Sequence, residues 1–99
     1  MEVTIKINGK DKTFKTDFIS ARMFKKTEEL QRRAENKEDI DLDEVVQYIV
    51  DVFGNQFTID EFYDGVDVSD IFPIYLDTSK AVLEKFQSKI QMFPQNKKK

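Results

Sequence analysis

The chain has neither histidine nor cysteine among its 99 residues. Without imidazole there is no ordinary base for neutral pH, no Ser-His-Asp triad and no histidine metal ligand. Without thiols there is no disulfide framework, no thiolate zinc site and no cysteine nucleophile, a usage that fits a reducing compartment. Only three glycines and two prolines occur. Each glycine stands alone, so no glycine-rich loop is available to cradle a phosphate. Long apolar runs are missing as well. Met1 to Lys15 alternates charged and apolar residues without a signal-like core, and no later run approaches the ~20 residues of a membrane span. These absences lead to the expectation of a soluble, cytoplasmic, non-catalytic protein with no cofactor, no metal and no membrane partner.

What is present is enough apolar material to fold. Hydrophobic residues make up 39% of the chain and nine of them are Phe, which suits one packed core at this length. A single domain over residues 1–93 with a flexible basic tail at 94–99 is the expected organisation. Charge is unevenly distributed. Residues 1–37 carry ten Lys/Arg against six Asp/Glu, residues 38–79 carry twelve acids and no base, and residues 80–99 carry six Lys against Glu84. A stretch without a cation predicts a negative side on the folded surface, able to attract a basic partner.

The periodicities predict an α+β fold, mainly α, with an N-terminal β-hairpin packed on a small bundle of about four helices. Val3, Ile5 and Ile7 alternate with polar residues as in a half-buried strand, Asn8-Gly9 suits a tight hairpin turn, and Lys12 to Lys15 is the return strand. From a Ser20 N-cap, Met23, Thr27, Leu30 and Ala34 fall on one helical stripe. Glu28 with Arg32 and Glu29 with Arg33 are i,i+4 pairs on its charged back, read as a solvated face and not as a nucleic-acid contact.

Asp41 with Glu44 is a capping-box pattern, and Gly54 closes the helix it opens. Val45, Val46, Tyr48, Ile49, Val50, Val52 and Phe53 leave that helix almost no polar side, so it must be central. Its β-branched content also suits a buried strand, but caps and length favour helix. Thr58 with Glu61 opens a short helix that Gly65 ends. The last helix starts near Ser69 with Pro73 in its first turn. Its stripe is Ile71, Tyr75, Val82, Phe86 and Ile90, while Phe72, Leu76 and Leu83 add a second apolar edge.

Acid pairs at helix starts are accounted for as caps and dipole partners. Asp64 to Asp70 is rich in oxygen ligands but lacks the one-three-five spacing and distal Glu of a calcium loop. A protein contact is the better use of this region. Phe62, Tyr63, Ile71 and Phe72 are large apolar groups set among Asp64, Asp67 and Asp70, an anchor-and-rim composition. These seven residues are the candidate partner site. A small acidic regulator that occupies a basic, nucleic-acid-binding protein surface is the alternative function.

Two stretches, FISARMFKKTEELQ at 18–31 and DLDEVVQYIVDVFGNQFTIDEFYDGV at 41–66, together with the hairpin, resemble the tail assembly chaperones of long-tailed phages of Gram-positive bacteria. The resemblance runs from the hairpin to about Ile71 and rests on fold and spacing, with no chemical signature. It implies a non-structural protein that coats the tape measure protein before tail tube polymerisation, is displaced as tube subunits assemble, and is absent from the virion. It also implies that a frameshifted, extended form recruits the tail tube protein. Lys97, Lys98 and Lys99 suit an adenine-rich slippage site, and equally an ordinary basic tail.

Overall fold

Two adjacent residues at positive φ, Asn8 at 53° and Gly9 at 78°, turn strand β1 (Glu2–Ile7) into strand β2 (Lys10–Lys15). This is the turn whose twist matches that of paired strands. The computed structural model describes residues 1–90, so the tail expected at 94–99 lies outside the described residues. The strands are antiparallel, with Val3 opposite Phe14 and Ile5 opposite Lys12. β2 begins at Lys10, earlier than the alternation of its side chains suggested, because pairing continues up to the turn. Val3, Ile5 and Phe14 are buried, and Thr4 and Thr13 share a 2.8 Å hydroxyl contact on the exposed face.

Among the described residues four helices follow, α1 (Ala21–Glu35), α2 (Leu42–Val52), α3 (Ile59–Gly65) and α4 (Ile71–Ile90), with a 3-10 turn at Val68–Asp70 leading into α4. The fold is therefore a β-hairpin with a mainly helical body, as the sequence predicts. Ser20 is the N-cap of α1, but its side chain makes no capping bond; the Met23 amide instead donates to the Ser20 carbonyl at 2.9 Å. The Thr58–Glu61 capping box is complete, with reciprocal bonds of 3.0 and 2.9 Å. Past α2, Gly54 at φ 69° and Asn55 at φ 61° turn the chain, and their amides take up the Asp51 and Val50 carbonyls.

α2 lies at the centre. Val46, Tyr48, Ile49, Val50, Val52 and the following Phe53 are all buried. Burial raises the pKa of the Tyr48 hydroxyl, which bonds to the Thr27 hydroxyl of α1 at 2.5 Å, while the Thr27 hydroxyl also reaches the Met23 carbonyl at 2.7 Å. Tyr75 of α4 meets Tyr48 edge-on, with ring centroids 5.7 Å apart. The hairpin joins through aromatics: Phe57 lies 5.0 Å from Phe14 and 5.6 Å from Phe53. These contacts cover the apolar face of α2, but the helix does have a polar side: Asp43, Gln47 and Asp51 stand one turn apart, and the Gln47 amide donates to Asp51 at 2.8 Å.

Gly65 ends α3, but it does so without a left-handed backbone. The reason for glycine is proximity: a Cβ there would press on the Lys6 carbonyl oxygen and on Ile5 Cγ2. α3 thus sits directly on β1, giving the hairpin the cover that an isolated pair of strands lacks. Gly54, by contrast, has open space around it and needs glycine only for its φ. Gly65→Ala is expected to cost about 3 kcal/mol, the upper end for overpacking against backbone, and Gly54→Ala about 1 kcal/mol. Chemical denaturation of the two variants checks this, and a larger loss at Gly54 would contradict the close α3–β1 approach.

Candidate functional site

The cover over α2 gives out at its first turn. There the end of α1, the start of α2 and the start of α4 enclose an open groove of about 520 Å³, within the usual size of a ligand pocket. α2 contributes Leu42 and Val45, α4 contributes Phe72, Tyr75, Leu76 and Ser79, and Ile40 closes the end between α1 and α2. Leu42 is 49% exposed, Phe72 62% and Leu76 50%. Large apolar side chains left in water side by side mark a contact surface more often than single exposed ones do.

One ion pair sets the spacing of two of the walls. Arg33, near the end of α1, grips Glu44 in the first turn of α2 with two bonds of 2.8 and 3.0 Å, and its second terminal nitrogen also donates to the Asp39 carbonyl at 2.9 Å. The planar guanidinium matches the carboxylate with both prongs, so the contact fixes orientation as well as distance. Arg33 also lies 3.7 Å from Glu29, but its bidentate partner is Glu44, so it is not simply part of a solvated helix back. Among the described residues, Glu28 and Arg32 form no ion pair. Glu44 additionally accepts from the Asp41 amide at 3.5 Å. The Arg33 hydrogen bonds chiefly hold the Glu44 carboxyl down at about 2.

A second, polar pocket of about 490 Å³ lies where the hairpin meets the α3–α4 junction. Thr4, Lys6 and Asp11 line it from the strands, and Asp64, Asp67 and Asp70 from the helical side. Asp67 is already engaged: it accepts from the Ser69 hydroxyl and, at 2.9 Å, from the Ser69 amide. Those two bonds lower its pKa. Among the described residues no group of three or more His, Cys, Asp or Glu is placed to hold a metal.

The seven candidate residues therefore do not form one site. Phe62 is fully buried, its ring 6.3 Å from Phe57 in the core; as a contact residue it is corrected, because its position four residues after the Thr58 cap turns it inward. Tyr63 donates its hydroxyl to Asp43 of α2, and that carboxylate pushes the phenol up to about 12. Asp64, Asp67 and Asp70 belong to the polar pocket. Ile71 is half-buried against the core, and Phe72 alone of the seven lines the groove. The other apolar groove residues, Ala34, Ile40, Leu42, Val45, Tyr75 and Leu76, were not among the seven. The available signal was the second apolar edge of α4, on which Phe72 and Leu76 stand one turn apart.

An apolar groove with half-exposed walls is the equipment of a domain that binds other proteins. A family model described as phage tail chaperone protein matches residues 1–99, the whole chain. The chain belongs to that family and is a phage tail assembly chaperone. Searches of curated proteins and of solved structures find no significant match to it.

The depressed Glu44 carboxyl makes the groove's framework acid-sensitive. In the unfolded chain this group takes up a proton near 4.5, while in the folded chain it resists protonation down to about 2. Its contribution is complete above the upper value and is lost as pH falls from about 4.5 to about 2. Glu44→Gln is expected to lower stability at neutral pH and to flatten the acid limb in that window. Thermal melts across pH check this, and an unchanged acid limb would contradict it.

Proposed function

We propose that the chain binds and solubilises the tape measure protein of a long-tailed phage of Gram-positive bacteria, within the host cytoplasm, before the tail tube polymerises around it. On this reading the chaperone is displaced as tube subunits assemble and does not stay in the virion. The observation that carries the proposal is the groove between α1, α2 and α4, where Leu42, Phe72 and Leu76 are about half exposed. An elongated, aggregation-prone helical partner needs its apolar faces shielded, and it must be released intact. Small grooves used in many copies meet both needs, since each contact is weak while the array is tight.

The acidic stretch supports the same reading. Residues 38–79 carry twelve acids and no base, so a coat of such chains repels itself and keeps a bound partner in solution. Recruitment of the tail tube protein by a frameshifted extension is part of the proposal, and it concerns sequence past Lys99. The acidic-regulator alternative is less well supported, because Asp41, Glu44, Glu61 and Asp67 are engaged at helix and turn starts and the chain belongs to the tail chaperone family.

Co-expression with the tape measure protein of the same phage tests this. The expected outcome is a soluble complex holding many copies of the chaperone. Leu76→Asp, at an exposed position where folding should change by no more than about 0.5 kcal/mol, is expected to leave the tape measure protein insoluble. An insoluble partner with the unaltered chain would overturn the function, and a soluble one with Leu76→Asp would overturn the groove as its site.

A further inference from the structure

We propose that the groove takes a single amphipathic α-helix of stated chemistry: a short apolar stripe with Lys or Arg along its flanks. The proposal deepens the reading above and rests on it in taking the groove as the partner site.

Shape comes first. Leu42 and Val45 stand three residues apart on α2, and Phe72 and Leu76 four apart on α4, so each wall presents a pair of apolar side chains one turn long. Two such ridges leave a furrow suited to a third helix, read as anchors at i, i+3 or i+4, and i+7.

Charge selects the flanks. Glu35 lines the groove. Asp39, Asp41 and Asp77, all exposed, are the sequence neighbours of the lining residues Ile40, Leu42 and Leu76. By the same measure Asp43 adjoins Leu42, and the exposed cations are Arg32 beside Gln31 and Lys80 beside Ser79, with Lys37 two residues past Glu35. The Arg33–Glu44 pair aside, five acids against three bases favour a basic partner and penalise an acidic one. A second copy of this chain is a poor occupant, because the apolar residues of its two basic segments are already engaged: Met23, Thr27 and Leu30 on α1 are buried, and at the basic end of α4 Val82 is buried and Phe86 is stacked on Phe24.

Fluorescence anisotropy with dye-labelled synthetic helical peptides tests this on the full chain. The probes are a leucine-stripe peptide with lysine flanks, the same peptide with glutamate flanks, and a lysine-flanked peptide with scrambled leucines. The lysine-flanked stripe peptide is expected to bind about tenfold tighter than its glutamate-flanked counterpart, with the gap narrowing in salt. Leu76→Asp and Leu42→Asp, from opposite walls, should each abolish binding. Equal binding of glutamate-flanked or scrambled peptides, or indifference to both wall variants, would overturn the proposal. So would sedimentation showing that the wall variants convert an oligomer into monomers, which assigns the groove to a second copy. Because no tape measure protein is used, peptide failure beside successful co-expression removes the groove chemistry and leaves the function standing.

Discussion

α2 carries a broad apolar face, and the rest of the fold is arranged around covering it, while Asp43, Gln47 and Asp51 form a polar stripe along its other side. An apolar face of that breadth is stable in water only when covered, and three separate contacts cover it. α1 reaches it through the Thr27–Tyr48 hydroxyl pair, α4 through Tyr75, and α3 with the hairpin through the cluster of Phe14, Phe53, Phe57 and Phe62. The cover ends at the first turn, where Leu42 projects and Val45 is only half-buried. The groove is the remainder of the burial that drives folding. A partner helix seated there would complete it with the same forces, at a site small enough to be given up again.

Charge supports this arrangement at two scales. Locally, Glu44 both helps open α2 and accepts the Arg33 fork, so the end of α1 and the start of α2 are tied at the mouth of the groove. Over the whole molecule, Arg22, Lys25, Lys26 and Arg32 of α1 line a separate hollow, while the lining of the groove comes mostly from the cation-free stretch. The long-range field and the short-range apolar contact therefore favour the same kind of partner, a basic amphipathic helix.

Most of the fold was legible because local signals and global packing agree. Asn8-Gly9 set the hairpin, the Thr58–Glu61 box and the Asp41–Glu44 pair set two helix starts, and the uninterrupted apolar run after Asp41 announced the central helix. The site was legible only in part. Phe62 and Phe72 look alike in sequence, each an aromatic among acids, but Phe62 falls on the inward side of a short capped helix and Phe72 on the outer edge of a long one. Val45 was read as part of the central helix, and Ile40 and Leu42 were assigned no role, because nothing local says that α4 leaves this end of α2 open. The Arg33–Glu44 pair was hidden for a similar reason: an i,i+4 partner was available at Glu29, and the better partner stands eleven residues on. Gly65 was placed as a helix stop, but its need for a missing Cβ follows from β1 lying across it.

The central claim is that the α1–α2–α4 groove is the surface by which this tail chaperone holds its partner. Hydroxyl-radical footprinting of the complex with the tape measure protein tests it most directly, because it reads side-chain exposure residue by residue. Phe72, Leu76 and Leu42 should become protected, while Phe18 and Val68, exposed at 80% and 83% and away from the groove lining, should stay reactive. Protection of Phe18 or Val68 with Phe72 and Leu76 unchanged would contradict it.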